Sequence, residues 1–216
     1  MNVKAIVFDL DGTLLNTIED LTDSLNFVLE NFNFPKKTLE QVKYLVGNGV
    51  PKLIERAIPG GLNNNEYEKC LQLFKSYYKD NMFNKTVPYD GVIEMLQRLK
   101  TLGIKTAVVS NKFDAAVKDL CDKYFCGYID LCLGENEQNG VRKKPAPDSV
   151  LKILDVFGIF KHDVIYVGDS DVDIQTAQNA GIECISVLWG FKDREFLLKN
   201  GAKIIISNPA EILKYL

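Results

Sequence analysis

The chain has 216 residues, 46% hydrophobic and 25% charged, which suits one globular domain, or one domain with an insertion, built on a sizeable core. With 26 Lys and Arg against 29 Asp and Glu the net charge is −3, and no long basic tract gives a reason to expect a nucleic-acid polymer as partner. Five scattered cysteines without a C-x-x-C pair and a single histidine, His162, argue against a disulfide framework or a zinc site, while the lack of a leader pattern and of any bilayer-length apolar run leads to the expectation of a cytoplasmic protein with no membrane partner.

The first element is Val3 to Phe8, a short apolar, β-branched run that reads as a buried strand. It runs directly into Asp9, Leu10, Asp11 and Gly12. Alone, that sequence also reads as an ordinary strand-to-turn exit, because Asp and Gly are common turn residues. From Asn16 to Lys85 no convincing strand follows. Ile18, Leu21, Leu25, Val28, Leu29 and Phe32 share one helical face, which Pro35 ends. Thr38 with Gln41 fits a capping box. Gly47, Asn48 and Gly49 break the pattern before a short helix through Val50, Leu53, Ile54 and Ala57. Asn63 to Asn65 offer N-caps for a further helix bearing Tyr67, Cys70, Leu71, Phe74, Tyr77 and Tyr78. Residues 16–85 are therefore expected to form a small all-helical domain inserted after the first strand.

From Val87 the grammar becomes α/β. Asp90 is a candidate N-cap for a helix through Val92, Leu96 and Leu99. Gly103 then precedes a strand from Ile104 to Val109. The same punctuation recurs at Gly158, Gly181 and Gly201: a helical stretch ends in glycine, as a left-handed C-cap requires, and a β-branched run follows. The later runs are 164–167, 185–187 and 204–206, with a weaker strand at 129–133. The expected fold class is α/β, a Rossmann-like, mostly parallel sheet with helices on both faces, built from residues 1–15 and 86–216.

Several strands end in polar groups that a parallel sheet would bring to one edge. The first ends at Asp9, the second at Ser110 and Asn111, and a later one at Gly168, Asp169, Ser170, Asp171, Val172 and Asp173. Lys144 precedes Pro145 in a loop ahead of a helix. Each has a structural alternative: Ser110 as an N-cap, Asp171 and Asp173 as first-turn acids, Lys144 as a surface charge. Together, in this order, they point to chemistry. Like charges ~4 Å apart repel by roughly 4 kcal/mol at an effective dielectric of about 20, and one lysine does not neutralise Asp9, Asp169 and Asp173. A hard divalent cation with oxygen ligands would, so Mg²⁺ is the expected cofactor. A carboxylate, a cation, a lysine and hydroxyl or amide donors suit a phosphoryl group. One carboxylate can attack phosphorus, and a second, two residues on, can protonate the leaving oxygen and then deprotonate water. No P-loop and no dinucleotide glycine fingerprint occurs.

Asp9-Leu10-Asp11-Gly12-Thr13-Leu14, Ser110-Asn111, Lys144-Pro145 and Gly168 through Asp173 resemble the four motifs of the haloacid dehalogenase-like hydrolase superfamily, in the family's order and across the whole chain. The resemblance implies Asp9 as nucleophile and Asp11 as general acid/base, an acid that the dehalogenating branch lacks. It implies Ser110 and Lys144 as phosphoryl ligands, with Asn111 and the Gly12 amide as further contacts. Asp9, Asp169 and the main-chain carbonyl of Asp11 would hold Mg²⁺, with Asp173 supporting the metal shell. The helical insertion would be a cap. Within the superfamily the chain is most similar to phosphoglycolate phosphatases, through Val46-Gly47-Asn48-Gly49, Lys144 to Asp148 and Gly168 to Ile174. It departs at Asn16, where many relatives carry Asp. Gly47, Asn48, Gly49 and Arg56 are candidate specificity residues of the cap, with Lys43 and Lys52 as neighbouring cations; all of these also read as the solvated face of helices. The expected partner is a small phosphorylated metabolite, 2-phosphoglycolate first. A pyrophosphatase, a 5'-nucleotidase, a phosphosugar mutase and a non-catalytic phosphate-sensing module are the alternatives, and the oligomeric state stays open.

Overall fold

The computed structural model describes residues 3–137 and 140–216. They fall into two compact units, Met1–Leu15 with Pro88–Leu216, and Asn16–Val87. The first unit is built on strands β1 (Ala5–Phe8), β4 (Lys105–Phe113), β5 (Leu131–Glu135), β6 (Val164–Gly168), β7 (Glu183–Val187) and β8 (Ile204–Ile206). Two-residue strands β2 (Leu15–Asn16) and β3 (Val87–Pro88) stand where the chain leaves this unit and returns to it.

The six longer strands form one sheet in the order β5-β4-β1-β6-β7-β8, every pair parallel. β1 lies inside, and all four of its residues are fully buried, which is why the sequence there is unbroken Ala-Ile-Val-Phe rather than alternating. Its register places Phe8 between Val108 and Val167. After β1 the chain departs toward β4, and after β6 it departs toward β7. Connections that diverge from neighbouring strands leave a crevice at their carboxyl ends. Asp9 and Asp169, each one residue past its strand, stand at that crevice.

The helices of this unit are α5 (Val92–Thr101), α6 (Asp114–Phe125), α7 (Asp148–Phe157), α8 (Asp171–Ala180) and α9 (Arg194–Lys199). On one sheet face Val150, Ile153, Leu154, Ala177 and Ala180 pack on Ala5, Val7, Ala107, Val109 and Tyr166. The glycine punctuation has a physical basis. Gly103, Gly158, Gly181 and Gly201 all hold positive φ, and the residue after each donates five positions back, to Leu99, Leu154, Ala177 and Leu197. That bond ends the helix and turns the chain toward the next strand.

The unit Asn16–Val87 contains helices α1 (Ile18–Asn31), α2 (Leu39–Leu45), α3 (Val50–Ala57) and α4 (Tyr67–Asn81). Leu25, Val28, Leu29, Val42, Ile54, Cys70 and Phe74 form its fully buried centre. The Thr38–Gln41 capping box is present. Asp20, on α1, is buried and accepts from Lys85 N, Thr86 N and Thr86 Oγ1 at 2.8–3.0 Å, fastening the outgoing chain to the first helix.

Some local expectations shift. Asp90 is not a cap: Gly91, at φ 82°, precedes α5. Asn63 to Asn65 do not cap α4, whose N-cap is Glu66; Asn64 instead makes a turn, accepting from Glu66 N at 2.8 Å. The weak strand lies at Leu131–Glu135 rather than 129–133. Ser110 is no N-cap either. β4 continues through it to Phe113, with its register against β5 shifting between Val109 and Phe113. Ser110, Asn111 and Lys112 are all buried, as on a strand covered on both faces.

Candidate active site

Asp9 is anchored at the end of β1, its N–H donating to Val167 O at 2.9 Å. Its Oδ1 accepts from Leu10 N at 2.7 Å. The chain then folds tightly back, with Thr13, Leu14 and Leu15 all donating to Leu10 O. Gly12 sits inside this turn at φ 83°, and a Cβ there would run into the Asp169 carboxylate. The Gly12 N–H donates to Leu15 O at 2.9 Å, so in this conformation the amide proposed for phosphate contact serves the turn.

Lys144 is the hub. Its side chain is 3% exposed, and Nζ lies 2.8 Å from Asp9 Oδ1 and 2.7 Å from Asp173 Oδ1. The reading of this lysine as a surface charge is excluded. Asn111 holds its backbone from both sides: Lys144 N donates to Asn111 Oδ1 at 2.8 Å, and Asn111 Nδ2 donates to Lys144 O at 3.0 Å. Asn111 thus acts on the lysine loop. Tyr166, from β6, accepts from Lys144 Nζ at 3.2 Å and donates to Asp173 Oδ1 at 3.2 Å. Asp173 is fully buried; its Oδ2 accepts from Ser170 N and Ser170 Oγ, closing a capping box at the start of α8. Asp173 is thus at once a first-turn acid of α8 and a partner of Lys144.

Asp169 Oδ2 accepts from Phe191 N at 2.7 Å. The aromatic loop Trp189-Gly190-Phe191 follows β7; its sequence reads either as a loop near the site or as core packing, and it closes on this acid. Trp189 Nε1 donates to Thr13 O at 2.9 Å, and a Cβ at Gly190 would strike Asp169 and Gly12 O. Ser110 is buried on β4 and its Oγ accepts from Lys112 N at 3.2 Å.

Sequence reasoning missed Lys112, whose side chain is 4% exposed with Nζ 3.0 Å from Asp11 Oδ1. That oxygen is buried, and the two charges are in contact. The signal was there: Lys112 extends the polar run of a buried strand. Lys192, also buried, was missed as well, and its charge opposes the proton affinity of Asp169. Four acids, Asp9, Asp11, Asp169 and Asp173, thus face three lysines, not one.

The compensation is uneven. Lys144 keeps its proton: burial alone would lower its pKa, but Asp173 and Asp9 raise it well above the usual lysine value. Burial and then Asp173 push the Asp9 carboxyl up, against the pull of Lys144. Burial, with Asp173, pushes Asp169 up to about 7, against the pull of the Phe191 N–H and of the Lys192 and Lys144 charges. Burial, Asp169 and Asp11 together raise the Tyr89 phenol. Asp9, Asp169 and Asp173 bring carboxylate oxygens within 4.8 Å of one another. An all-oxygen donor set in which four acids outnumber three lysines fits a hard divalent cation, and the residues present could hold one.

Gly47, Asn48, Gly49 and Arg56 lie in the unit Asn16–Val87. Arg56 is spent locally, with Nη1 donating to Leu45 O at 2.9 Å and Nη2 to Asn48 Oδ1 at 2.8 Å. Lys43 pairs with Glu40, and Lys52 with Glu55. His162 is 78% exposed and stacks on Phe160, the surface residue expected. Among the described residues no helix is long and apolar enough to cross a membrane.

The family described as haloacid dehalogenase-like hydrolase matches residues 6–187. A phosphoglycolate phosphatase of Aquifex aeolicus is 31% identical over 213 residues, spanning 98% of this chain and 96% of the relative. Phosphoglycolate phosphatase 1 of Pseudomonas aeruginosa is 31% identical over 216 residues, spanning 97% and 78%. A crystal structure from Lactobacillus delbrueckii subsp. bulgaricus, provisionally assigned as a phosphoglycolate phosphatase, superposes with a TM-score of 0.95 at 36% identity, covering 100% of this chain and 98% of its own.

Proposed function

Because the chain belongs to the haloacid dehalogenase-like hydrolase family and is a phosphatase, we propose that it hydrolyses a small phosphorylated metabolite, 2-phosphoglycolate foremost, through an aspartyl-phosphate on Asp9. The observation that supports the mechanism most is Lys144, buried between Asp9 and Asp173 at 2.8 and 2.7 Å. The substrate rests on the names of the relatives.

In this reading a carboxylate oxygen of Asp9 attacks phosphorus and the bond to the leaving oxygen breaks. Asp11 delivers a proton to that oxygen. Asp11 then takes a proton from water, whose oxygen attacks the aspartyl-phosphate and releases inorganic phosphate and free Asp9. Lys112 beside Asp11 holds its carboxylate in place and offsets its charge. Lys144 and Ser110 bind phosphoryl oxygens, and Asn111 positions Lys144. Asp9, Asp169 and the Asp11 carbonyl would hold Mg²⁺, with Asp173 in support; the bound ion would offset the negative charge of the phosphoryl oxygens. The unit Asn16–Val87 is the cap of this reading, and Gly47, Asn48, Gly49 and Arg56 are its candidates for recognising the rest of the substrate. A cytoplasmic location suits five free thiols.

The test is a panel of 2-phosphoglycolate, pyrophosphate, nucleoside monophosphates and sugar phosphates, each with Mg²⁺ and with EDTA. The highest kcat/KM is expected for 2-phosphoglycolate, with phosphate released and activity lost in EDTA. A higher value for another ester would overturn the substrate, and full activity of Asp9→Asn would overturn the mechanism.

A further inference from the structure

Away from the crevice, at the edge of the sheet, two cysteines meet. Along β5, Leu131 and Leu133 pack onto the α7 and α8 side with Val150 and Ile153. Strand alternation therefore turns Cys132 to the opposite face, where α6 packs on β5. On α6, Val117, Leu120, Cys121 and Phe125 form the buried stripe that meets the sheet. The register between the two elements is fixed at one end. Gly134 N donates to Asp114 Oδ1 at 3.0 Å, and a Cβ at Gly134 would run into the Asp114 backbone.

The helix runs back antiparallel to the strand, as a right-handed crossover between parallel strands requires. Two turns along α6 from Asp114, ~10.5 Å, lead to Cys121. Two residues back along β5 from Gly134, ~6.6 Å, lead to Cys132. Helical side chains lean toward their N-terminus, which takes up much of the difference. The two thiols are thus brought to the same side of the α6–β5 contact, close enough for each to shift the proton affinity of the other.

We propose that Cys121 and Cys132 form a dithiol modification site that hydroperoxides oxidise to an intrachain disulfide. Cys132 is the attacking sulfur. It lies on the edge strand and is partly exposed, whereas Cys121 is buried. The neighbouring Cys121 thiol favours the thiolate of Cys132, and the proximity of Cys132 together with burial raises the Cys121 thiol. The Cys132 thiolate attacks a peroxide oxygen, the O–O bond breaks, and the departing oxygen takes a proton as water or an alcohol. Cys132 is then a sulfenic acid. Cys121 attacks that sulfur, its proton leaves with the hydroxyl as water, and the disulfide forms. Sulfur is oxidised and the peroxide reduced. Cys70, buried in the other unit, and exposed Cys126 have no part in it.

The experiment treats the full chain with hydrogen peroxide, titrates thiols in denaturant and maps the peptides by mass spectrometry. The thiol count is expected to fall from five to three, with a Cys121–Cys132 cross-linked peptide that dithiothreitol releases. Cys121→Ser should stop at a Cys132 sulfenic acid that dimedone traps, and Cys132→Ser should give no cross-link. Full alkylation of both cysteines after peroxide, or oxidation confined to Cys126, would overturn the proposal. Mapping of the wild-type chain decides this even if a variant fails to fold.

Discussion

The crevice at the end of β1 and the helical unit Asn16–Val87 use charge in opposite ways. In the crevice Asp9, Lys112, Lys144, Asp169 and Asp173 are all buried, and the contacts of Lys112 and Lys144 come from other segments of the chain. In the helical unit Lys43 and Lys52 meet acids three residues away, and Arg56 ties down its own loop. Exposed pairs at i,i+3 contribute only a few tenths of a kcal/mol. A buried charge held by another buried charge is strongly destabilising to break. The difference teaches where chemistry is fixed: at strand ends where the fold forces charges together, not where helices decorate themselves with ion pairs.

The sharpest test of that contrast is Asp9→Asn, which should lower kcat by about 10⁴-fold or more while leaving the fold intact, read by phosphate release and circular dichroism. Lys144→Met should both abolish activity and cost roughly 3–5 kcal/mol in urea unfolding, because it strands Asp9 and Asp173 without a cation; a loss below about 1 kcal/mol would deny the hub. Lys112→Met should lower kcat by about 10–100-fold with little change in KM, since Lys112 contacts Asp11 and not the substrate in the reading given. Arg56→Ala should leave kcat within about twofold and stability within about 1 kcal/mol, any activity effect falling on KM; a kcat loss as large as that of Lys112→Met would erase the contrast.

The smallest effect belongs to the core unit's outer face. Burial alone would raise the Asp114 carboxyl, but the Lys118 ammonium and Gly134 N–H outweigh it and hold it below its ordinary value of 3.8. A folded-state pKa below the unfolded one adds stability above pH ~4 that is lost as pH falls through the folded value. Asp114→Asn should therefore cost under ~1 kcal/mol near neutral pH, and urea titrations of the two proteins should converge as pH falls below the folded-state value.

The order of elements was legible because it rests on local rules. An unbroken apolar run such as Ala5 to Phe8 suits a strand covered on both faces, and the glycines at 103, 158, 181 and 201 take the left-handed conformation that ends a helix. Asp9 and Asp169 could be picked out because polar groups closing apolar runs are conspicuous along the chain, and Lys144 because a cation in a loop ahead of a helix completed that set. Lys112 and Tyr166 were not, since a lysine in a polar run and a tyrosine in a strand have commoner uses.

By itself, then, the sequence determined the strand and helix alternation, the helical insertion and the acids at the strand ends, because helix caps, apolar periodicity and turn residues act over a few positions. Only the tertiary structure decided which charges face each other. The burial of Ser110, Asn111 and Lys112 at the end of β4, the grip of Asn111 on the Lys144 loop and the approach of Gly12 and Gly190 to Asp169 depend on backbone brought together from distant positions, where burial turns each charge into a demand for a partner.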